Sequence, residues 1–229
     1  RYIRVDDLLE KLMFHVEHRF INVQDPEAAK KLSELYDSNR QKLDHYVELL
    51  LWWNQRINLV SRNVSRETLH KHIQHSLLAG VLGVLNNYEY VIDAGTGGGL
   101  PGIPLAICYT EKRFLFNDIV KKKVMAVKAM SRELGLKNGS FFTGSVEELP
   151  ITREEVLITK HAFKINKLLE MLDEGWREIV MLKGLEFRDE LEGVDIPLLF
   201  ERYDLYTITQ DAFYKGKGMV KIRRQNEQQ

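Results

Sequence analysis

Apolar residues recur at intervals of three and four over residues 5 to 85, and Leu8, Leu9, Leu12, Met13 and Val16 form the first such stripe. That spacing is the signature of an amphipathic helix face. Asp25-Pro26-Glu27 is a helix-start signal, with Asp25 as N-cap and Pro26 in the first turn. A helix over residues 42–56 would bury Leu43, Tyr46, Val47, Leu50 and Trp53, and Asn58-Leu59-Val60-Ser61-Arg62 breaks it. Helical spacing resumes over residues 67–76.

From Tyr90 onward, short apolar runs of strand length alternate with helical ones. Tyr90-Val91-Ile92-Asp93 reads as a strand, followed by a glycine-rich turn and an apolar helix. Strand 113–117, helix 121–134 closed by Gly135, strand 140–143 and a weaker segment 156–160 follow. A helix over 164–172 then precedes a strand over 178–182. The alternating stretches 203–209 and 218–224 read as an antiparallel pair. The pattern predicts an α/β, Rossmann-like fold: a mostly parallel seven-stranded sheet with an antiparallel C-terminal hairpin. An N-terminal helical extension, residues 1–62, precedes the Rossmann-like domain of residues 63–229.

Composition narrows the class without choosing a function. The chain has 229 residues, 44% hydrophobic and 29% charged, enough for a large core. No run of about 18 apolar residues appears, and no signal-peptide pattern opens the chain, so a cytoplasmic protein with no membrane partner is expected. The single cysteine, Cys108, excludes an internal disulfide. Equal numbers of basic and acidic residues, 33 of each, argue against a protein that coats nucleic acid through net charge. Local basic runs remain: Lys121-Lys122-Lys123, Lys160-His161 with Lys164 and Lys167, and the stretch from Lys215 to Arg224.

The candidate chemistry lies in Asp93-Ala94-Gly95-Thr96-Gly97-Gly98-Gly99-Leu100-Pro101-Gly102. A chain that reverses over a ligand needs positive φ or close backbone approach, which glycine permits. Two cofactors fit the letters. Gly97-x-Gly99-x-x-Gly102 matches a dinucleotide fingerprint, and Asp93-x-Gly95-x-Gly97-x-Gly99 matches a loop for S-adenosylmethionine. A pyrophosphate at the helix N-terminus would be repelled by Asp93, whereas a sulfonium and an ammonium would be stabilised by it. The charge argument favours the methyl donor. Asp118 closes the next strand 23 residues beyond Gly95, about where a carboxylate would hold a ribose diol, and it can also cap the following helix. His72 and His75 are three residues apart on a predicted helix, but no Cys or third acidic ligand at suitable spacing accompanies them, so no metal is expected. Solvated histidines or substrate contacts remain open for them.

These residues resemble the RsmG, or GidB, methyltransferases over residues 43 to 185. Trp53-Asn54 with Asn58-Leu59, Lys71-His72-Ile73 with Ser76, the glycine turn running into Leu100-Pro101-Gly102-Ile103-Pro104-Leu105, and Leu182-Lys183-Gly184 stand in the family's order. The resemblance implies a class I S-adenosylmethionine-dependent methyltransferase that methylates nitrogen 7 of a guanine in bacterial small-subunit ribosomal RNA. It puts the donor on Asp93, Gly95, Thr96, Gly97 and Gly99, its ribose on Asp118, and its adenine beside Val146 and Glu147. It puts a basic residue facing RNA or cofactor on Lys122; Lys123, Lys160, His161 and Lys183 are expected as further RNA contacts, with His72 and His161 as positioning residues and no general base. The implied partner is small-subunit ribosomal RNA or the ribosomal subunit, met by a monomer. Two departures fall on the acceptor side: Lys160-His161-Ala162 replaces the usual Ser-Arg-Ala, and His75 replaces an acid. A nicotinamide-dependent oxidoreductase, or an RNA-binding assembly factor without catalysis, would be the alternatives.

Overall fold

The computed structural model describes residues 16–225. The stripe of Leu8, Leu9, Leu12 and Met13 therefore lies outside the described residues. Eight strands, β1 (Arg19–Asn22), β2 (Tyr90–Ala94), β3 (Arg113–Asp118), β4 (Gly139–Thr143), β5 (Glu155–Lys160), β6 (Glu178–Gly184), β7 (Leu198–Asp204) and β8 (Lys217–Arg224), form one sheet. Its order is β1-β7-β8-β6-β5-β2-β3-β4. All neighbours pair in parallel except β8, which is inserted antiparallel between β6 and β7. The helices are α1 (Ala28–Ser38), α2 (Arg40–Asn54), α3 (Arg66–Val81), α4 (Gly102–Cys108), α5 (Lys121–Glu133), α6 (Ile165–Met171) and α7 (Leu205–Thr209).

Side chains alternate across a strand, and the central strands use both faces. Val91, Phe114, Phe116, Val156, Ile158, Val180, Leu182 and Met219 join one apolar cluster with α1 to α5. Ile92, Leu157, Ile179, Met181, Val220 and Ile222 join the other with α6, Trp176 and Phe187. Leu43, Tyr46, Val47 and Leu50 of α2 are buried in the first cluster, as the helical spacing predicts; Trp53 is half-buried beside it.

Three expectations are corrected. Residues 19–22 form an eighth, edge strand rather than part of a helical region; Phe20 stacks on Phe200 with ring centroids 5.0 Å apart, and Val23 donates to the Arg202 carbonyl at 2.8 Å. Four residues are too few for a period of two to outweigh the surrounding helical spacing. The hairpin's first arm is β7, and residues 205–209 are helical. The Asp204 carboxylate accepts from the amides of Tyr206 and Thr207, so an N-cap overrides the strand preference of Thr207, Ile208 and Thr209. Helix α1 starts after Glu27; Asp25 instead accepts from the Glu27 amide at 2.9 Å, closing the turn that precedes the helix.

Candidate active site

The ends of β2, β3 and β4 are tied together by the glycine turn. Gly95, Gly97 and Gly99 all have positive φ, at 68°, 56° and 96°, the left-handed region that residues with a Cβ avoid. At Gly95 the constraint is doubled, because an added Cβ would stand 2.6 Å from that of Ala162. At Gly97 the space is open, the nearest atom being the Leu59 carbonyl oxygen at 3.6 Å. Asn54 folds the segment after α2 against this turn: its carboxamide oxygen accepts from the amides of Leu59 and Val60, each at 3.0 Å. Tyr46 donates to the Gly98 carbonyl at 2.8 Å. The motif pair Trp53-Asn54 and Asn58-Leu59 is therefore the outer wall of the turn.

Two carboxylates organise its inner side. Asp93 is fully buried; one oxygen accepts from the Thr96 hydroxyl at 2.6 Å and from the Gly102 amide at 3.0 Å. Its other oxygen is buried and has no hydrogen-bond partner. Burial pushes this carboxyl up to about 7, opposed by the Thr96 and Gly102 bonds. Asp118 accepts from the Gly97 amide at 3.1 Å through one oxygen and from the Val120 amide at 2.9 Å through the other. It thus joins the turn and also turns the chain into α5, and Lys123 stands 3.9 Å from it. The Asn117 carbonyl accepts from Thr96, and its amide donates to Gly144 at 2.9 Å.

This wiring decides between the two cofactor readings. The amides of Gly97 and Gly102, which a pyrophosphate at the start of α4 would need, already donate to carboxylates. A cation suits the unpartnered oxygen of Asp93; an anion does not. Val146 is buried and Glu147 is exposed beside it. Ile119, overlooked in the sequence, is 71% exposed directly after Asp118. A large apolar residue between a strand-end acid and a helix start is the signal that would have found it.

The ends of β5 and β6, the start of β8 and helix α3 bring together a second set of groups. The Lys160 ammonium lies 3.2 Å from Nδ1 of His72. His161 has a left-handed backbone, φ 53°, and its amide donates to the Leu182 carbonyl at 3.1 Å. Its ring centroid is 6.1 Å from that of His75, so the two histidines face each other. His75 is completely buried, and neither ring nitrogen meets a hydrogen-bond partner of normal geometry. Lys217, another residue not anticipated, lies over the Phe213 ring; Gly216 and Gly218 around it mark the strand start that places it. Burial first, then Lys160 and Lys217, hold His72 and His161 down to about 4. Burial and Lys217 bring Lys160 down to about 8. Burial, Lys160 and His161 keep His75 well below 6.5, while the Gly218 backbone acts the other way. Lys183 is buried and paired with Glu190, whereas Lys122 is exposed on the first turn of α5. Among the described residues no group of three His, Cys, Asp or Glu side chains is placed to hold a metal, and no helix is long and apolar enough to cross a membrane.

A parallel sheet with one inserted antiparallel strand, and a glycine turn hung on two strand-end acids, define the class I methyltransferase fold. Magnesium protoporphyrin IX methyltransferase (ChlM) from Synechocystis PCC 6803, solved with bound SAM, shares it with a TM-score of 0.50 and 17% identity, over 72% of this chain and 86% of that one. Residues 39–212 match the family model GidB, described as rRNA small subunit methyltransferase G. Proteins named Ribosomal RNA small subunit methyltransferase G are 37% identical in Chlorobium limicola, over 71% of this chain and 76% of that protein. In Chlorobaculum tepidum the figure is 42%, over 65% and 70%. The chain belongs to the rRNA small subunit methyltransferase G family.

Proposed function

We propose that this protein transfers a methyl group from S-adenosylmethionine to nitrogen 7 of a guanine in bacterial small-subunit ribosomal RNA, acting as a monomer in the cytoplasm. The observation that carries the reading is the donor turn, complete in a chain of this family and left with one buried carboxylate oxygen that calls for a cation. The donor's methionine part is held by Asp93, Thr96 and the turn from Gly95 to Gly99. Its ribose is held by Asp118, and its adenine lies between Ile119 and the Val146–Glu147 segment. Bound there, the cofactor supplies an electrophilic methyl on a sulfonium.

Nitrogen 7 keeps a free lone pair on the major-groove edge of guanine, so no side chain has to remove a proton before it attacks. The protein's task is alignment, and positioning alone contributes several kcal/mol (about 7–11 at best) to lowering such a barrier. Lys122, Lys123, Lys160 and His161 border the donor turn and hold RNA phosphates; Lys183, buried with Glu190, acts on them only through its field. Incubating the protein with labelled donor and small subunits that lack nitrogen-7 methylation should label one guanine. Label on another atom, or none with subunits that bind, would overturn the assignment. A calorimetric titration with a nicotinamide dinucleotide should give no binding.

A further inference from the structure

We propose that His72, Lys160, His161 and Lys217 form a subsite for one phosphodiester of the RNA, and that filling this subsite draws protons onto the protein. The proposal rests on the ribosomal RNA reading above and assigns to it a definite anion site with a pH signature.

The groups come from three separate elements, α3, the end of β5 and the start of β8, and converge with no acid in ion-pair contact, although Asp211 lies close enough to favour the charged form of Lys217. Lys160 meets His72 at 3.2 Å, and Lys217 covers the Phe213 ring, which in turn lies edge-on to His72 at 5.5 Å between centroids. The nearest carboxylates are already engaged. Asp211 is paired with Lys71 and accepts from the Phe213 amide; Glu190 is paired with Lys183 and accepts from the Ile165 amide. Among the described residues neither Lys160 nor Lys217 has a carboxylate at ion-pair distance. Lys160, Lys217 and His72 are half-buried and His161 is exposed beside them; half-buried cations without a counter-ion in contact are costly, and the protein meets that cost by discharging the imidazoles.

Position ties the cluster to the chemistry. His161 is held in a left-handed conformation that only a few residue types adopt readily, and the next residue, Ala162, packs against Gly95 of the donor turn. His75 packs against His161 as a buried, uncharged ring, and Tyr214 lies edge-on to His75 with ring centroids 5.9 Å apart.

Linkage gives the sign. In the free protein His72 and His161 titrate near 4; their stability contribution is present above pH 6.5 and lost as pH falls through 4. A phosphodiester beside them removes the repulsion and returns them toward their ordinary range, so binding takes up protons between about pH 5 and 6.5. Lys160, near 8 in the free protein, moves up in the same way and gives a second window above pH 8. Around pH 7 uptake is smallest.

The test is calorimetric titration of the whole protein, free of donor, with a small-subunit ribosomal RNA fragment, in buffers of differing ionisation heat from pH 5 to 9.5. Uptake of about half a proton or more at pH 5.5–6 and again near pH 9 is expected, equivalent to about threefold in affinity per pH unit. His161→Arg should keep the affinity and lose about half of the low-pH uptake, the share left being that of His72, because a guanidinium is always charged. Lys217→Gln should weaken RNA about tenfold and lower the salt slope by about one. Inorganic phosphate should compete with RNA in the native protein and lose that competition in Lys217→Gln. Flat proton uptake with RNA bound, or a Lys217→Gln protein that binds normally, overturns the subsite. If those results come with normal methyl transfer to the subunit, only the subsite fails; if RNA and donor both fail to bind the native protein, the functional reading fails with it.

Discussion

The two halves of the site solve opposite electrostatic problems. On the donor side two carboxylates, Asp93 and Asp118, receive backbone amides from the turn they organise, so the site is wired before any ligand arrives. On the other side Lys160, His72, His161 and Lys217 gather with no acid in ion-pair contact with either lysine, and the protein lowers their charge instead. Preorganised hydrogen bonds make a site specific for one small ligand; an unpaired cationic cluster makes a site whose charge its ligand completes. The contrast also tells where sequence can vary. The donor side allows little exchange because its acids each accept two hydrogen bonds, Asp93 from the Thr96 hydroxyl and the Gly102 amide and Asp118 from two amides, whereas His75 and His161 only face each other ring to ring.

The largest expected effect breaks the point where the halves touch. Gly95→Val puts a Cβ against Ala162 at a residue with φ 68°, which should destabilise by roughly 2–5 kcal/mol and weaken donor and RNA together. Gly97→Ala meets open space, so it should lose only about 1–2 kcal/mol of stability from its left-handed backbone while weakening donor binding at least tenfold. Urea unfolding and donor calorimetry on the two variants separate backbone strain from ligand approach. Equal losses in both would mean that Ala162 is not the limiting contact.

Next in size is Asp118→Ala, which should reduce donor affinity by about 1.5–3 kcal/mol with RNA affinity unchanged. Loss of RNA binding in this variant would mean that the halves are coupled more tightly than their separate hydrogen bonds imply.

Much of this was legible in the chain because the donor side is contiguous. Strand, acid, glycines and apolar helix follow one another within residues 90–108, and period and charge are local properties. The cationic side is assembled from residues 72, 160, 161 and 217, which share no sequence neighbourhood except at Lys160-His161. Periodicity placed His72 on a helix but could not aim it at Lys160. Lys217 was part of a basic run with no visible neighbour until β8 was found between β6 and β7. Strand β1 and helix α7 were misread for a related reason: in four or five residues, edge pairing or one capping aspartate outweighs propensity.

A smaller effect follows from burial of Asp93. Its carboxyl is raised from 3.8 to about 7, so its contribution to stability is fully present below pH 3.8 and is lost as pH rises through 7. A cationic donor favours the charged form, so donor binding near pH 7 should release about half a proton and tighten as pH rises from about 6 to 8. RNA binding takes protons up, so the two ligands should show opposite signs in the same pair of buffers. Asp93→Asn should abolish the donor's release and leave the RNA uptake intact; release that survives this substitution would place the titrating group elsewhere.

The smallest effect is expected in the chemical step, and it sharpens the comparison most. If pH acts through Asp93 on donor affinity and through His72, His161 and Lys160 on RNA affinity, saturating both ligands should remove both influences. Nitrogen 7 needs no base to expose its lone pair, and the histidines beside it are held neutral in the free protein and become phosphate partners in the complex. The single-turnover rate with both ligands saturating should therefore vary by less than about twofold from pH 6.5 to 8.5, where a general base would reveal its pKa. His72→Ala and His161→Ala should shift the RNA concentration needed for saturation more than the rate reached there. A rate that climbs tenfold per pH unit and loses that slope in either variant would assign proton transfer to the histidine, and would require an acceptor atom that carries a hydrogen.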